Sequence, residues 1–164
     1  MPSAAIRCNG RMVDDDAALA RTIIDGNSYM VLGTADAGGS AWASPVWFAT
    51  DDGRDFYWVS SPQARHSRNL AVRPQLGIVI FDSTVPPGDG QAVYMSATAA
   101  ELTGDDIDTG IDVFARGAVA AGLATWTREK VVPPARHRIY RAVASEHFVL
   151  DEHDERVPVT LAPR

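Results

Sequence analysis

Between Tyr29 and Asp151 the chain is cut by turn residues into short segments rich in β-branched and aromatic side chains, and only a few stretches carry helical spacing. YMVLGTA runs into the turn Asp36-Ala37-Gly38-Gly39, SAWASPVWFAT follows, and Asp51-Asp52-Gly53-Arg54 makes the next turn before DFYWVSS. LGIVIFD and QAVYMSATAAEL flank the loop VPPGDG, and HRIYRAVASEHFVLD reads as one or two closing strands. Strands bounded by turns at this spacing close into a barrel or a sandwich. Alternating βα units are missing, so a doubly wound sheet is excluded. The predicted class is mainly β, a β-barrel with flanking helices. In the second strand, alternation puts Trp42, Ser44, Val46 and Phe48 on one face and Ala43, Pro45, Trp47 and Ala49 on the other. LGIVIFD is apolar throughout and is expected to be buried.

Three helices are predicted around these strands. The first covers about residues 14–25, with Asp14 to Asp16 supplying the N-cap and first-turn charge and Gly26 the stop. A short one begins at Pro62, capped by Ser61 and ended before Pro74. The third, an insertion over about 105–124, offers Ile107, Ile111, Phe114, Val119 and Leu123 as buried positions. The tail from about 152 to 164 reads as charged and exposed, and residues 1–164 as a single domain.

Charge and cysteine usage narrow the function classes. There are 15 Lys+Arg against 21 Asp+Glu, a formal charge of −6, which argues against a nucleic-acid surface. Lys130 is the only lysine, so every other fixed positive side chain is an arginine, suited to bidentate oxyanion contacts. A lone Cys8 supports neither a disulfide framework nor a zinc site. No apolar run approaches the roughly 18–20 residues of a membrane span, and the first residues lack a signal-peptide core. The expectation is a cytoplasmic, soluble domain.

Two stretches could carry chemistry. In Ser60-Ser61-Pro62-Gln63-Ala64-Arg65-His66-Ser67-Arg68-Asn69-Leu70, hydroxyl residues at a strand end feed into a helix start. Backbone N–H groups there attract anions, and nearby guanidiniums add charge-assisted bonds, an arrangement suited to a phosphate monoester. Helical spacing puts Arg65, Arg68 and Asn69 on one face and Ala64, Ser67, Leu70 and Ala71 on the packing face. An ordinary amphipathic helix with solvated arginines accounts for the same pattern equally well. The second stretch, AWASPVWFAT, could present extended backbone and apolar side chains to a flat aromatic ring, with Pro45 marking an edge strand. Trp42, Trp47 and Trp58 serve equally as core or dimer contacts. The chain has no nucleophile elbow, P-loop, dinucleotide fingerprint or H-E-x-x-H motif, and its four histidines lack metal-ligand spacing. No metal is expected.

The ordered set SPVWF, the 56–61 strand, RHSRNLAVRP, LGIVIFD and QAVYMSATAAEL resembles the pyridoxamine 5′-phosphate oxidase-like family of FMN-binding split β-barrels. The likeness covers about residues 20–102 and, more loosely, 137–151. It implies a homodimer with FMN in clefts at the subunit interface. By position, Ser44, Pro45, Val46, Trp47 and Phe48 would line the isoalloxazine ring. Val59, Ser60, Arg65, His66 and Arg68 would hold the ribityl phosphate, and Gln91 would reach the flavin of the neighbouring subunit. His66 stands where the family usually has lysine, and the arginine-rich C-terminal signature of true pyridoxamine-phosphate oxidases is missing. The resemblance therefore implies an FMN-dependent oxidoreductase acting on a small organic substrate other than a B6 vitamer, with no catalytic side chain assigned. Two alternatives stand beside it: a reductase using the deazaflavin coenzyme F-420, and a non-enzymatic flavin- or heme-binding module.

Overall fold

The computed structural model describes residues 7–8 and 11–162. The expectations for the side chains of Cys8 and Asp14, and for the last two residues, lie outside these. Two-residue strands β1 (Arg7–Cys8) and β2 (Arg11–Met12) pair ahead of helix α1 (Val13–Gly26), a pairing the sequence had not signalled. Then come β3 (Tyr29–Ala35), β4 (Ala41–Trp47), β5 (Asp55–Ser60), α2 (Arg65–Val72), β6 (Gln75–Phe81) and β7 (Ala92–Glu101). Helix α3 (Asp106–Ala120), β8 (Arg138–Leu150) and β9 (Arg156–Val159) complete the order. None of these helices is long and apolar enough to cross a membrane.

The larger sheet is antiparallel with order β4-β3-β6-β7-β8-β5, and β9 joins the far half of β8. Its first hairpin is set by Asp36, whose side chain accepts from the Ser40 N–H at 2.9 Å while Gly39 takes the positive φ of 88° that closes the turn. The single closing strand is the 13-residue β8, which holds β5 along its first half and β9 along its second. Closure comes from an isolated bridge in which Ala49 and Tyr57 exchange backbone bonds of 2.9 and 2.8 Å. Beyond it β4 and β5 pair no further, and α2 lies across the opening, packed on β3, β4 and β7. This is a split barrel.

Its interior is filled by Met30, Leu32, Phe56, Trp58, Ile78 and Ile80, with Ile24 of α1 stoppering one end. A second core forms outside the wall, where Tyr57 and Ile139 meet Ile107, Ile111 and Phe114 of α3. Successive residues of β5 are thus buried on opposite faces, which explains the unbroken apolar run in its sequence.

Several expectations are corrected. β6 is buried on one face only: Leu76, Ile78 and Ile80 point inward while Gln75, Gly77 and Phe81 are exposed. Val119 and Leu123 are 60% and 54% exposed: Val119 turns away from the face on which Phe114 and Ala118 are buried, and Leu123 lies beyond the helix end at Ala120. Part of the tail is structured, since β9 extends the sheet and buries Val159.

Candidate functional site

The seam between β4 and β5 gathers several of the polar residues singled out from the sequence. Ser44 projects from β4, Ser60 ends β5, and His66 lies in the first turn of α2. The His66 ring spans the gap, with Nδ1 3.2 Å from the Ser44 Oγ and Nε2 2.9 Å from the Ser60 Oγ. His66 and Ser44 are both buried. Burial pushes the imidazole pKa below its ordinary value, and no charged neighbour opposes the shift.

Helix α2 starts later than expected. Pro62 and Gln63 form a turn in which the Ala64 N–H donates to the Ser61 carbonyl and the Gln63 N–H to the Ser61 Oγ. The Ser61 hydroxyl therefore serves this turn, and the N-cap falls on Ala64, whose side chain offers no capping bond. Helix starts present N–H groups and a partial positive charge, so this one suits an anion. Arg65 sits at the same point, its guanidinium 4.5 Å from the centre of the Trp42 ring on β4. Trp42 is 43% exposed, so the seam places a cation and an accessible indole beside the serine–histidine cluster.

Behind the cluster, a relay of bonds ties α2 to the sheet. The Asn69 Nδ2 donates to the Thr34 Oγ1 at 3.0 Å, and that hydroxyl donates to the Trp42 carbonyl at 3.3 Å. Asn69 is 3% exposed, so it does not share a solvated face with the arginines, and Ala71 rather than Asn69 faces out. The Asn–Thr pairing was invisible in the sequence because its members are 35 positions apart.

The remaining expected residues divide clearly. Arg68 is not brought to the cradle: it donates to the Gln63 carbonyl and borders a separate cavity of about 430 Å³ with Tyr140 and Glu101. Val46 and Phe48 point into the barrel core, and Phe48 packs on Phe56 at 5.6 Å. Trp47 lies edge-on to Phe114 of α3 at 4.7 Å, and Val59 packs on the second core. These four side chains are engaged in packing, so of residues 44–48 only the backbone and the exposed Pro45 face outward. Gln91 lies at the start of β7, whereas the end of that strand borders α2, so one chain does not bring it to the seam. Its Oε1 is buried without a hydrogen-bond partner among the described residues.

Next to Trp42, the outer face of the sheet forms an open groove of about 1040 Å³. Gly33, Ala43, Gly77 and Ser96 make its floor, all exposed and all too small to interrupt it.

The family model described as pyridoxamine 5′-phosphate oxidase matches residues 17–149, from within α1 to the penultimate residue of β8. No curated protein sequence matches the chain. Among solved structures, a heme binding protein from Mycobacterium smegmatis superposes with a TM-score of 0.69 at 20% identity over 88% of this chain. The chain spans 57% of that protein's length. HutZ, the heme storage protein from Vibrio cholerae, gives 0.60 at 19% identity, covering 78% of this chain and 89% of its own. A Clostridium acetobutylicum protein related to general stress protein 26, of the pyridoxinephosphate oxidase family, gives 0.64 at 10% identity, covering 88% and 93%. At these identities the structural likenesses establish the fold. With the family match spanning most of the chain, they show that it belongs to the pyridoxamine 5′-phosphate oxidase family and has the FMN-binding split-barrel fold.

Proposed function

We propose that this chain is an FMN-dependent oxidoreductase that holds the flavin phosphate at the start of α2 and works as a homodimer. The observation that carries this reading is the seam itself. An N-terminus without a side-chain cap, two hydroxyls, an imidazole and the Arg65 guanidinium converge where the barrel is split. Those donors fit a phosphate monoester. The side chains of Ser44, Ser60, Arg65 and His66, with the N–H groups of the first turn, would hold it. The exposed Trp42 and the edge backbone of β4 lie alongside for the ring.

Bound flavin supplies the electron and hydride chemistry; the protein's part is binding, orientation and exclusion of water. The small-residue groove supports the dimer, since a wall floored by glycine and alanine lets a second copy approach closely. A second copy would also bring its own Gln91, whose buried carbonyl oxygen has no partner among the described residues of one chain.

Proteins of this fold include heme binders, but the buried histidines here favour flavin. Both ring nitrogens of His66 bond serines, and the His147 Nε2 lies 2.7 Å from the Gly53 carbonyl. The purified protein, titrated with FMN, is expected to quench flavin fluorescence at one site per chain. Saturable heme binding with no response to FMN would overturn the proposal, and a response to the deazaflavin coenzyme F-420 alone would reassign the cofactor.

A further inference from the structure

The histidine at the seam is bonded in a way that a lysine could not reproduce. A neutral imidazole has one N–H donor and one bare nitrogen acceptor. Because His66 meets a hydroxyl at each nitrogen, it donates to one serine and accepts the hydroxyl proton of the other. One of the two serine protons is therefore spent on the ring. When the imidazole is protonated, both nitrogens donate, and both hydroxyl protons are released to turn outward. A single proton thus changes two things: the ring gains a positive charge, and the cradle gains a hydroxyl donor.

Resting on the phosphate-cradle reading above, we propose that His66 couples binding to proton uptake: the site takes a phosphate monoester as its dianion together with one proton from solvent, which ends on the His66 ring. The surroundings of His66 support this. β4 presents Ser44, β5 presents Ser60, and α2 itself carries Arg65, engaged with Trp42, and Arg68, turned onto the Gln63 carbonyl. Burial keeps the free ring neutral near pH 7, and no carboxylate contributes to its shift. An arriving dianion within hydrogen-bond reach of the two serines supplies the missing counter-charge and raises the imidazole pKa. Affinity must then fall as pH rises between the free and bound values.

The test is calorimetry of FMN binding to the whole chain at pH 7.5, in two phosphate-free buffers of different ionisation enthalpy. The FMN phosphate is mainly dianionic there, its second pKa being about 6. The expected result is uptake approaching one proton per site, with Kd rising by up to about tenfold per pH unit from pH 7 to 8.5. In His66→Lys both the uptake and the slope should vanish while binding persists. As a readout needing no variant, the titration midpoint of the His66 ring resonance should move upward on saturation with FMN. Binding of FMN with no proton uptake and an unmoved midpoint would overturn the coupling and leave the cradle standing. No binding of FMN at any pH would overturn the cradle, and the coupling with it.

Discussion

Arg65 and Asn69 sit four positions apart on one helix and do opposite work. Arg65 reaches outward over Trp42, so its removal should leave the fold intact and weaken the hold on phosphate. Arg65→Ala is expected to cost about 1.5–3 kcal/mol of FMN affinity, the scale of one charged hydrogen bond. A titration showing unchanged affinity would place the phosphate elsewhere. Asn69 reaches inward to the Thr34 hydroxyl, and Asn69→Ala leaves that buried group short of its donor. The expected outcome is a loss of about 1–3 kcal/mol in urea unfolding.

The buried histidines add a pH dependence to stability. Desolvation lowers the pKa of both His66 and His147 below the ordinary imidazole value. The unfolded chain therefore binds more protons than the folded one. Stability is full above about pH 6.5 and is lost as pH falls through the depressed folded values. Thermal melts from pH 7.5 to 5 should show a falling Tm, and His147→Gln should remove part of the slope while keeping a donor for the Gly53 carbonyl. A flat wild-type profile would contradict this.

At the level of elements, β4 and α3 show what a sequence displays and what it conceals. The edge character of β4 was legible from Pro45, and its alternation grouped Trp42, Ser44, Val46 and Phe48 on one face; the last three are buried there, while Trp42 is exposed near the strand's start. The engagement of Trp47 was not, because its partner Phe114 belongs to a helix 67 positions away, and periodicity carries no information about partners. For the same reason Ser44 appeared on a different stretch from Ser60 and His66, and its bond to the His66 ring was not legible. The start of α2 was misplaced because Ser61 is a good cap residue by type, yet its hydroxyl is used in the Pro62–Gln63 turn. Helix α3 was found, but its length was overstated because the apolar spacing continues through Val119 and Leu123 into solvent.

How α3 seats itself is itself testable. A Cβ at Gly110 would lie 2.5 Å from the Leu102 Cδ1 and 3.2 Å from both the Ile139 and Tyr57 Cδ1 atoms. Alanine gains roughly 1 kcal/mol of helix propensity over glycine, whereas overpacking a filled core costs about 1–3 kcal/mol. Three contacts close at once, so overpacking should win. Gly110→Ala is expected to lower stability in urea unfolding, and a stabilised variant would show that the helix can lift without cost.

For the whole molecule, the proposed unit of function is two copies, because the seam within one chain lacks Gln91 and the groove beside it is open. Ala43→Glu sets a charge on the floor of that groove without touching the barrel interior. By light scattering the wild-type chain is expected to run as a dimer and the variant at half that mass, with FMN affinity falling in parallel. A monomeric wild type that binds FMN fully would remove the second copy from the account. The net charge of −6, which by itself argued against nucleic acid, also shows how local the useful positive charge is: one arginine and one proton-accepting ring at the split.

The claim on which the rest depends is that the seam is a phosphate cradle, and paired titration of the protein with FMN and with riboflavin, which differ only in the phosphate, tests it most directly. Two charged hydrogen bonds at about 1.5 kcal/mol each set the expected preference for FMN at a hundredfold or more. Equal affinity for the two flavins would contradict it.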